Sequence, residues 1–230
     1  MSEGVKPHER VDDLLVNGLK IIQNPNNFCF GCDAVELANF VTGGVKDRAV
    51  DLGSGTGIIT ILLAGKKKID CVGVEIQSDM AEMSQRSIAL NGLTNARIIN
   101  APMQEIAKFL PSGYATIVVS NPPYRKGDTG EKTDNPSVAL ARHEIAVSLR
   151  EVVNTASYLL NTGGSFYIVH QTERMSEVME ECVKARLEPK ILQVLTPNEV
   201  KPPHLFLLKA VKDGKKGLKV LPQRVVDTWV

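Results

Sequence analysis

Ala49-Val50-Asp51-Leu52-Gly53-Ser54-Gly55-Thr56-Gly57-Ile58-Ile59-Thr60 runs from a short apolar stretch through three alternating glycines into a second apolar stretch. This spacing predicts a buried strand over 49–52, a tight turn, and a helix from 58 to about 64. Glycine reaches left-handed backbone without strain, so such a turn brings backbone amides and a positive helix N-terminus close to a ligand. In the dinucleotide pattern G-x-G-x-x-G the last glycine would fall where Ile58 stands, and no acid is expected at Asp51, so the pyrophosphate reading weakens. The same turn also occurs simply to let a helix pack on a sheet.

The residues downstream of the turn favour a ligand. Cys71 to Val74 reads as a second strand ending in Glu75 and Ile76, twenty and twenty-one positions after Gly55. A carboxylate there can accept hydrogen bonds from two ribose hydroxyls, and Asp51 suits a ligand carrying an ammonium and a sulfonium. These demands fit S-adenosylmethionine, with Asp51, Gly53, Gly55, Gly57, Glu75 and Ile76 as candidate contacts.

Strand and helix patterns alternate outward from this point, which predicts an open, mostly parallel sheet with helices on both faces. Asp33 and Glu36 resemble a capping box opening a helix to about Val41, and Lys66 to Lys68 read as a basic turn. Ser78 or Asp79 caps a helix stopped by Asn91-Gly92. A strand over 97–99, a helix over 103–110 and a strand over 115–120 come next. Arg125 to Pro136 reads as a loop, 144–160 as a long amphipathic helix ended by Thr162-Gly163-Gly164, 165–169 as a strand and 173–185 as a helix. After a strand over 190–195, stretches 205–211 and 218–221 flank Asp213-Gly214, a hairpin signal.

The strand over 115–120 delivers Asn121-Pro122-Pro123-Tyr124 to the end of the sheet where ligands bind. An aromatic or amide NH2 is a poor nucleophile because its lone pair is delocalised. The Asn121 side-chain oxygen and the Pro122 carbonyl can accept both amino hydrogens and aim that lone pair at an electrophilic methyl. The two prolines stiffen the turn, and Tyr124 can stack on a planar substrate. Together with the glycine turn, this points to methylation of an exocyclic or amide nitrogen.

Composition is permissive. With 230 residues, 43% apolar and 23% charged, the chain suits one domain and shows no membrane span, and its polar N-terminus has no apolar signal core, so the expected location is the cytoplasm. Cys29-Phe30-Gly31-Cys32 has no second ligand pair, so no metal site is expected. Net charge is +1, but 199–230 holds seven Lys or Arg against three acids, either a phosphate-binding edge or a solvated hairpin. His143 either contacts phosphate or caps the following helix, and His170 reads as a strand-end residue.

These residues resemble the bacterial valine-tRNA adenine-N6-methyltransferase family, whose members modify the adenine next to the anticodon. The resemblance rests on Phe28 to Asp33, the glycine turn, the N-P-P-Y followed by Arg125-Lys126-Gly127, Ala141-Arg142-His143-Glu144, and Lys201-Pro202-Pro203-His204. It implies a Rossmann-like class I methyltransferase of the α/β class, an open seven-stranded sheet with an antiparallel C-terminal edge hairpin. Residues 1–32 would form an extension covering the cofactor site, and 33–230 the methyltransferase domain. It also implies that Phe30, Gly31 and Asp33 line the methionine end of the cofactor beside Asn121. Pro123, Tyr124, Arg125, Lys126, Arg142 and His143 would meet a tRNA, and no obligate protein partner is indicated. Pro102 stands where many such enzymes place an adenine-contacting Asp. Met103 can still pack on the adenine, so weakened cofactor binding is expected, and a submicromolar affinity would contradict it.

Other acceptors fit the same chemistry. A ribosomal-RNA N-methyltransferase would use the basic C-terminal edge equally well. Protein-glutamine enzymes of this kind carry a helical domain ahead of the glycine turn, and only 50 residues precede Asp51. A non-catalytic RNA-binding adaptor would have no need of Asp51 and Asn121.

Overall fold

The computed structural model describes residues 4–26, 29–123, 148–198 and 200–226. Tyr124, Arg125, Lys126, Arg142 and His143, together with the expected loop over 125–136, lie outside the described residues. The helix expected from 144 instead starts at Leu149, where extended Ser148 forms a capping box with Glu151.

The elements run β1 (Arg10–Asp13), β2 (Lys20–Gln23), α1 (Cys32–Phe40), β3 (Arg48–Leu52), α2 (Ile58–Lys67), β4 (Asp70–Glu75), α3 (Ser78–Leu90), β5 (Ala96–Asn100) and β6 (Ala115–Ser120). They continue with α4 (Leu149–Leu159), β7 (Leu160–Gln171), α5 (Met175–Lys184), β8 (Leu187–Thr196), β9 (Leu205–Lys212), β10 (Lys219–Val220) and β11 (Arg224–Val225). Among the described residues the main sheet has the order β10-β8-β9-β7-β6-β3-β4-β5, with β11 also on β8. Seven full strands form the Rossmann-like sheet. They are parallel except β9, which runs antiparallel to both β7 and β8.

Alternation along the strands sends residues to two cores. Val50, Leu52, Val118, Phe166 and Phe206 pack under α4 and α5, while Ala49, Val119, Tyr167 and Leu207 pack under α1 and α2. Each large side chain so buried contributes about 1.5–3 kcal/mol of transfer free energy. The antiparallel pair β1–β2 lies on α3, where Ile22 meets Met80 and Met83 and its amide donates to Ser87 Oγ at 2.9 Å.

Several local expectations are corrected. The N-cap of α1 is Gly31 with no side-chain cap, because the Asp33 carboxylate is engaged elsewhere, by the Ala34 amide and Asn121. Lys66 and Lys67 belong to α2, with Lys68 turning left-handed at φ 60°. Gln77, not Ser78 or Asp79, caps α3, and Met103–Lys108 is 3-10 rather than α-helical. Glu173 lies in a 3-10 turn, Thr172–Arg174, so α5 starts only at Met175.

Two corrections concern topology. Thr162-Gly163-Gly164 does not end a helix: α4 stops at Leu159, β7 begins at Leu160, and the glycines sit where β7 slips register against β6. Asp213-Gly214 does not close a hairpin between β9 and β10. Asp213 pairs with Arg186 at 2.7 Å just before β8, and β10 then runs parallel to β8. The antiparallel edge pair exists, but it consists of β8 and β9. No helix among the described residues is long and apolar enough to cross a membrane.

Candidate functional site

β3, β4, β5 and β6 are parallel neighbours, so Leu52, Glu75, Asn100 and Ser120 end together at one edge of the sheet. Ser120 Oγ donates to the Leu52 carbonyl at 2.9 Å and draws the start of the Asn121 turn to the start of the glycine turn. Both motifs singled out from the sequence therefore leave the sheet side by side.

Gly53, Gly55 and Gly57 all adopt left-handed φ, of 72°, 54° and 82°. Their reasons differ. A Cβ on Gly53 or Gly55 would project into open space, whereas one on Gly57 would meet Ser84 Oγ at 2.0 Å. Gly57 lets α2 close on α3, while the first two glycines leave a bare backbone cradle.

Glu75 closes the cradle from β4. It is 5% exposed, and its two oxygens accept the Gly55 amide and the Gln77 amide, each at 2.8 Å. A carboxylate has about four acceptor positions, so each oxygen keeps one for a ligand hydroxyl. Ile76 is 38% exposed beside it, and Asn100 donates to the carbonyls of Glu75 and Ile76 at 2.8 and 3.1 Å. Pro102 is half-buried and Met103 buried at the start of the 3-10 turn.

Asp51 lies beneath the turn. Within β3 it is wholly buried; Oδ2 accepts the Thr60 hydroxyl at 2.9 Å, and Oδ1 has no hydrogen-bond partner among the described residues. Burial is the largest cause pushing its carboxyl up to about 7, against the bond from Thr60. Burial also drives the neighbouring Cys71 thiol upward, with the Asp51 charge adding to it. The hydroxyls of Thr60 and Ser54 occupy the space where a Gly73 Cβ would sit, at 2.9 Å each. Sequence reading missed Thr60 and Gly73, although a lone threonine in the apolar run of α2 was a signal.

Asn121 is half-buried at the end of β6, and its Nδ2 donates to Asp33 Oδ2 at 3.1 Å. Pro122 is buried and Pro123 exposed. The Phe30 amide donates to Gln23 Oε1 at 3.1 Å, which ties the approach to α1 onto β2. Farther along the same edge, His170 is the last residue but one of β7 and is buried, 1% exposed. Burial, then the Arg174 charge, depresses its imidazole to about 4, so it is neutral near pH 7, with Nδ1 accepting the Gln171 amide at 2.8 Å.

The C-terminal lysines gather around β8 to β10. Lys190, Lys209 and Lys219 line a groove of about 530 Å³ floored by Ile191, Val211 and Leu218. Lys209 Nζ lies 5.5 Å from the Tyr167 ring centre, and Arg224 of β11 pairs with Glu36 of α1 at 2.8 Å. Cys29 and Cys32 are half-buried free thiols, and no cluster of metal-ligating side chains occurs among the described residues.

The residues present fit S-adenosylmethionine. The open space over Gly53 and Gly55 leaves room for the ligand against the turn, and Glu75 keeps acceptor positions and negative charge at the end of β4 for its ribose hydroxyls.

The model of the methyltransferase small domain family matches residues 34–189. The tRNA1(Val) (adenine(37)-N6)-methyltransferase of Aeromonas salmonicida is 26% identical over 158 residues, 67% of this chain and 64% of that protein. The protein of the same description from Erwinia tasmaniensis is 23% identical over 206 residues, 82% of this chain and 83% of its own. The chain thus spans just under two thirds of the Aeromonas relative. Among solved structures, a predicted O-methyltransferase from Agrobacterium tumefaciens superposes with a TM-score of 0.68 at 21% identity, covering 84% of this chain and 86% of that one, and shows the fold.

Proposed function

Since the chain belongs to the methyltransferase small domain family, we propose that it methylates the exocyclic N6 of an adenine in tRNA, the adenine at position 37 of valine tRNA. The observation that carries this reading is the position of Asn121-Pro122 at the end of β6, tied by Ser120 to the end of β3 where the glycine cradle begins. The curated relatives from Aeromonas and Erwinia support the choice of acceptor.

The cofactor is S-adenosylmethionine, which when bound supplies an electrophilic methyl carbon on sulfur. Gly53 and Gly55 present the bare backbone on which it rests, Glu75 accepts its ribose hydroxyls through the remaining lone pairs, and Met103 packs on its adenine. Phe30 and Gly31, on the approach from β2 to α1, stand at the methionine end in this reading. Asn121 Oδ1 and the Pro122 carbonyl accept the two amino hydrogens of the substrate adenine and hold its lone pair out of the ring. As the new N–C bond formed, the methyl–sulfur bond would break, releasing S-adenosylhomocysteine. The nitrogen would gain positive charge that the same two acceptors stabilise until it gives up a proton to water. Tyr124 stacks on the target base, and Arg125, Lys126, Arg142 and His143 meet the RNA around it. The lysine groove of β8 to β10 takes the phosphate backbone, and the enzyme works in the cytoplasm.

The test is methyl transfer from labelled cofactor to total tRNA lacking the modification, with nucleoside mass spectrometry of the product. N6-methyladenosine should appear in valine tRNA and fall about 10²–10³-fold with Asn121→Ala, the usual cost of losing one such acceptor or donor. Label in ribosomal RNA or protein instead would keep the chemistry and overturn the acceptor.

A further inference from the structure

Asn121 serves the proposed chemistry only if the oxygen end of its carboxamide faces the substrate. A carboxamide is two-ended: reversed, it would present NH2 to an amino group, donor against donor. Its orientation is therefore a functional variable.

The structure supplies a device that sets it. Asn121 Nδ2 donates to Asp33 Oδ2 at 3.1 Å, across 88 residues of sequence. A carboxylate only accepts, so Asp33 holds the nitrogen end and turns the planar amide's oxygen away from itself. The carboxylate is itself held, since Oδ1 accepts the Ala34 amide at 2.8 Å in the first turn of α1. Gly31 makes room for it: a Cβ there would stand 2.7 Å from Asp33 Oδ1. One turn farther along α1, Leu37 and Ala38 are fully buried against the sheet, so the helix carrying Asp33 is fixed there.

We infer that Asp33 is a positioning residue that locks the Asn121 carboxamide with its oxygen toward the acceptor nitrogen, a role distinct from contacting the cofactor. The inference rests on the proposed nitrogen methylation, and its tests separate it from the identity of the acceptor.

A residue swap is the sharpest test. In Asp33→Asn the lock is lost, because an amide at 33 accepts or donates equally, and kcat should fall about 10–100-fold, the scale of a small misplacement of a reacting group. The dissociation constant for S-adenosylhomocysteine, measured by titration calorimetry, should stay within about threefold. Asn121→Asp alone sets two carboxylates face to face and should be the worst of the three variants. The double variant Asp33→Asn/Asn121→Asp restores one donor facing one carboxylate, whose other oxygen accepts from the substrate. It should recover at least about tenfold over Asn121→Asp, a coupling far from additive.

A second measurement needs neither cofactor nor RNA. In the wild-type chain the Asn121 side-chain amide protons, followed by 15N-resolved NMR, should exchange slowly and shift strongly in Asp33→Ala. A double variant no better than Asn121→Asp, or an amide signal unmoved by Asp33→Ala, would overturn the lock. Loss of cofactor affinity with unchanged kcat would make Asp33 a cofactor ligand instead. If the wild-type chain leaves tRNA untouched, the acceptor reading fails while the NMR result still decides this one.

Discussion

The glycine cradle and the lysine edge are built on the same sheet by opposite means. At the ends of β3 and β4, buried polar groups meet particular neighbours: Glu75 bonds two loop amides, Thr60 bonds one oxygen of Asp51 while the other has no partner among the described residues, and Gly57 exists to admit Ser84. At β8 to β11, short strands of two residues each lie on β8, and the lysines stand around a shallow groove. The first region is specified by steric exclusion and should respond to single atoms. The second is specified by charge and should respond to ionic strength and to the number of lysines removed.

The largest effect should come from filling the cradle. Gly55→Val puts a β-branched side chain at φ 54° and into the open space above the turn, and should weaken S-adenosylhomocysteine binding by about a hundredfold or more in calorimetry. Binding unchanged within threefold would mean that the cofactor lies elsewhere. Gly57→Ala should act on stability instead. Left-handed strain of about 1–2 kcal/mol, added to the collision with Ser84, predicts a Tm lowered by several degrees, at about 2–4 °C per kcal/mol for a chain of this size. If Gly57→Ala melts like the wild type, the distinction between the two glycines is broken.

The lysine edge should yield a smaller and salt-dependent change. Lys190→Glu with Lys219→Glu should raise the KM for tRNA about tenfold at low salt and leave cofactor affinity alone. Each lost phosphate contact should flatten the salt dependence by roughly one logarithmic unit per unit of log salt. An unchanged KM would reduce the groove to a solvated face.

The smallest effect concerns Asp51. Its carboxyl, held near 7 when folded against an ordinary 3.8, binds a proton in the folded state that the unfolded chain releases. Stability is therefore lost as pH rises through that window, and the loss is complete above about 7. Asp51→Asn should remove this slope and raise Tm at pH 8 by a few degrees relative to the wild type, with little difference near pH 4. The opposite sign would mean that Asp51 is ionised and paired in the native protein.

The same contrast explains what was legible in the sequence. The cradle obeys local rules, so Asp51 to Gly57, the strand over 115–120 and the end of α3 at Asn91-Gly92 could be read directly. The Asn121–Asp33 bond could not, because nothing in either stretch announces a partner 88 positions away. Asp213-Gly214 misled for a related reason. The dipeptide does turn the chain, with Gly214 donating to the Val211 carbonyl, but the ion pair to Arg186 directs it toward β8, and β9 already has neighbours on both sides. Turn chemistry is local, whereas strand order depends on which edge is left open. Thr162-Gly163-Gly164 failed similarly, as β7 uses those glycines to slip against β6.

The stretch around Arg224 also has a kinetic meaning. β11 is held by two residues of pairing on β8 and by its grip on Glu36, so it belongs to the parts of a fold that open most cheaply. Each opening removes the cation from a glutamate buried in α1, the helix whose first turn orients Asn121. Amide exchange at Val226 and along the first turn of α1 should then rise together when Arg224 is replaced by Gln. The tail of the chain would thus set how long the reaction centre stays assembled between turnovers.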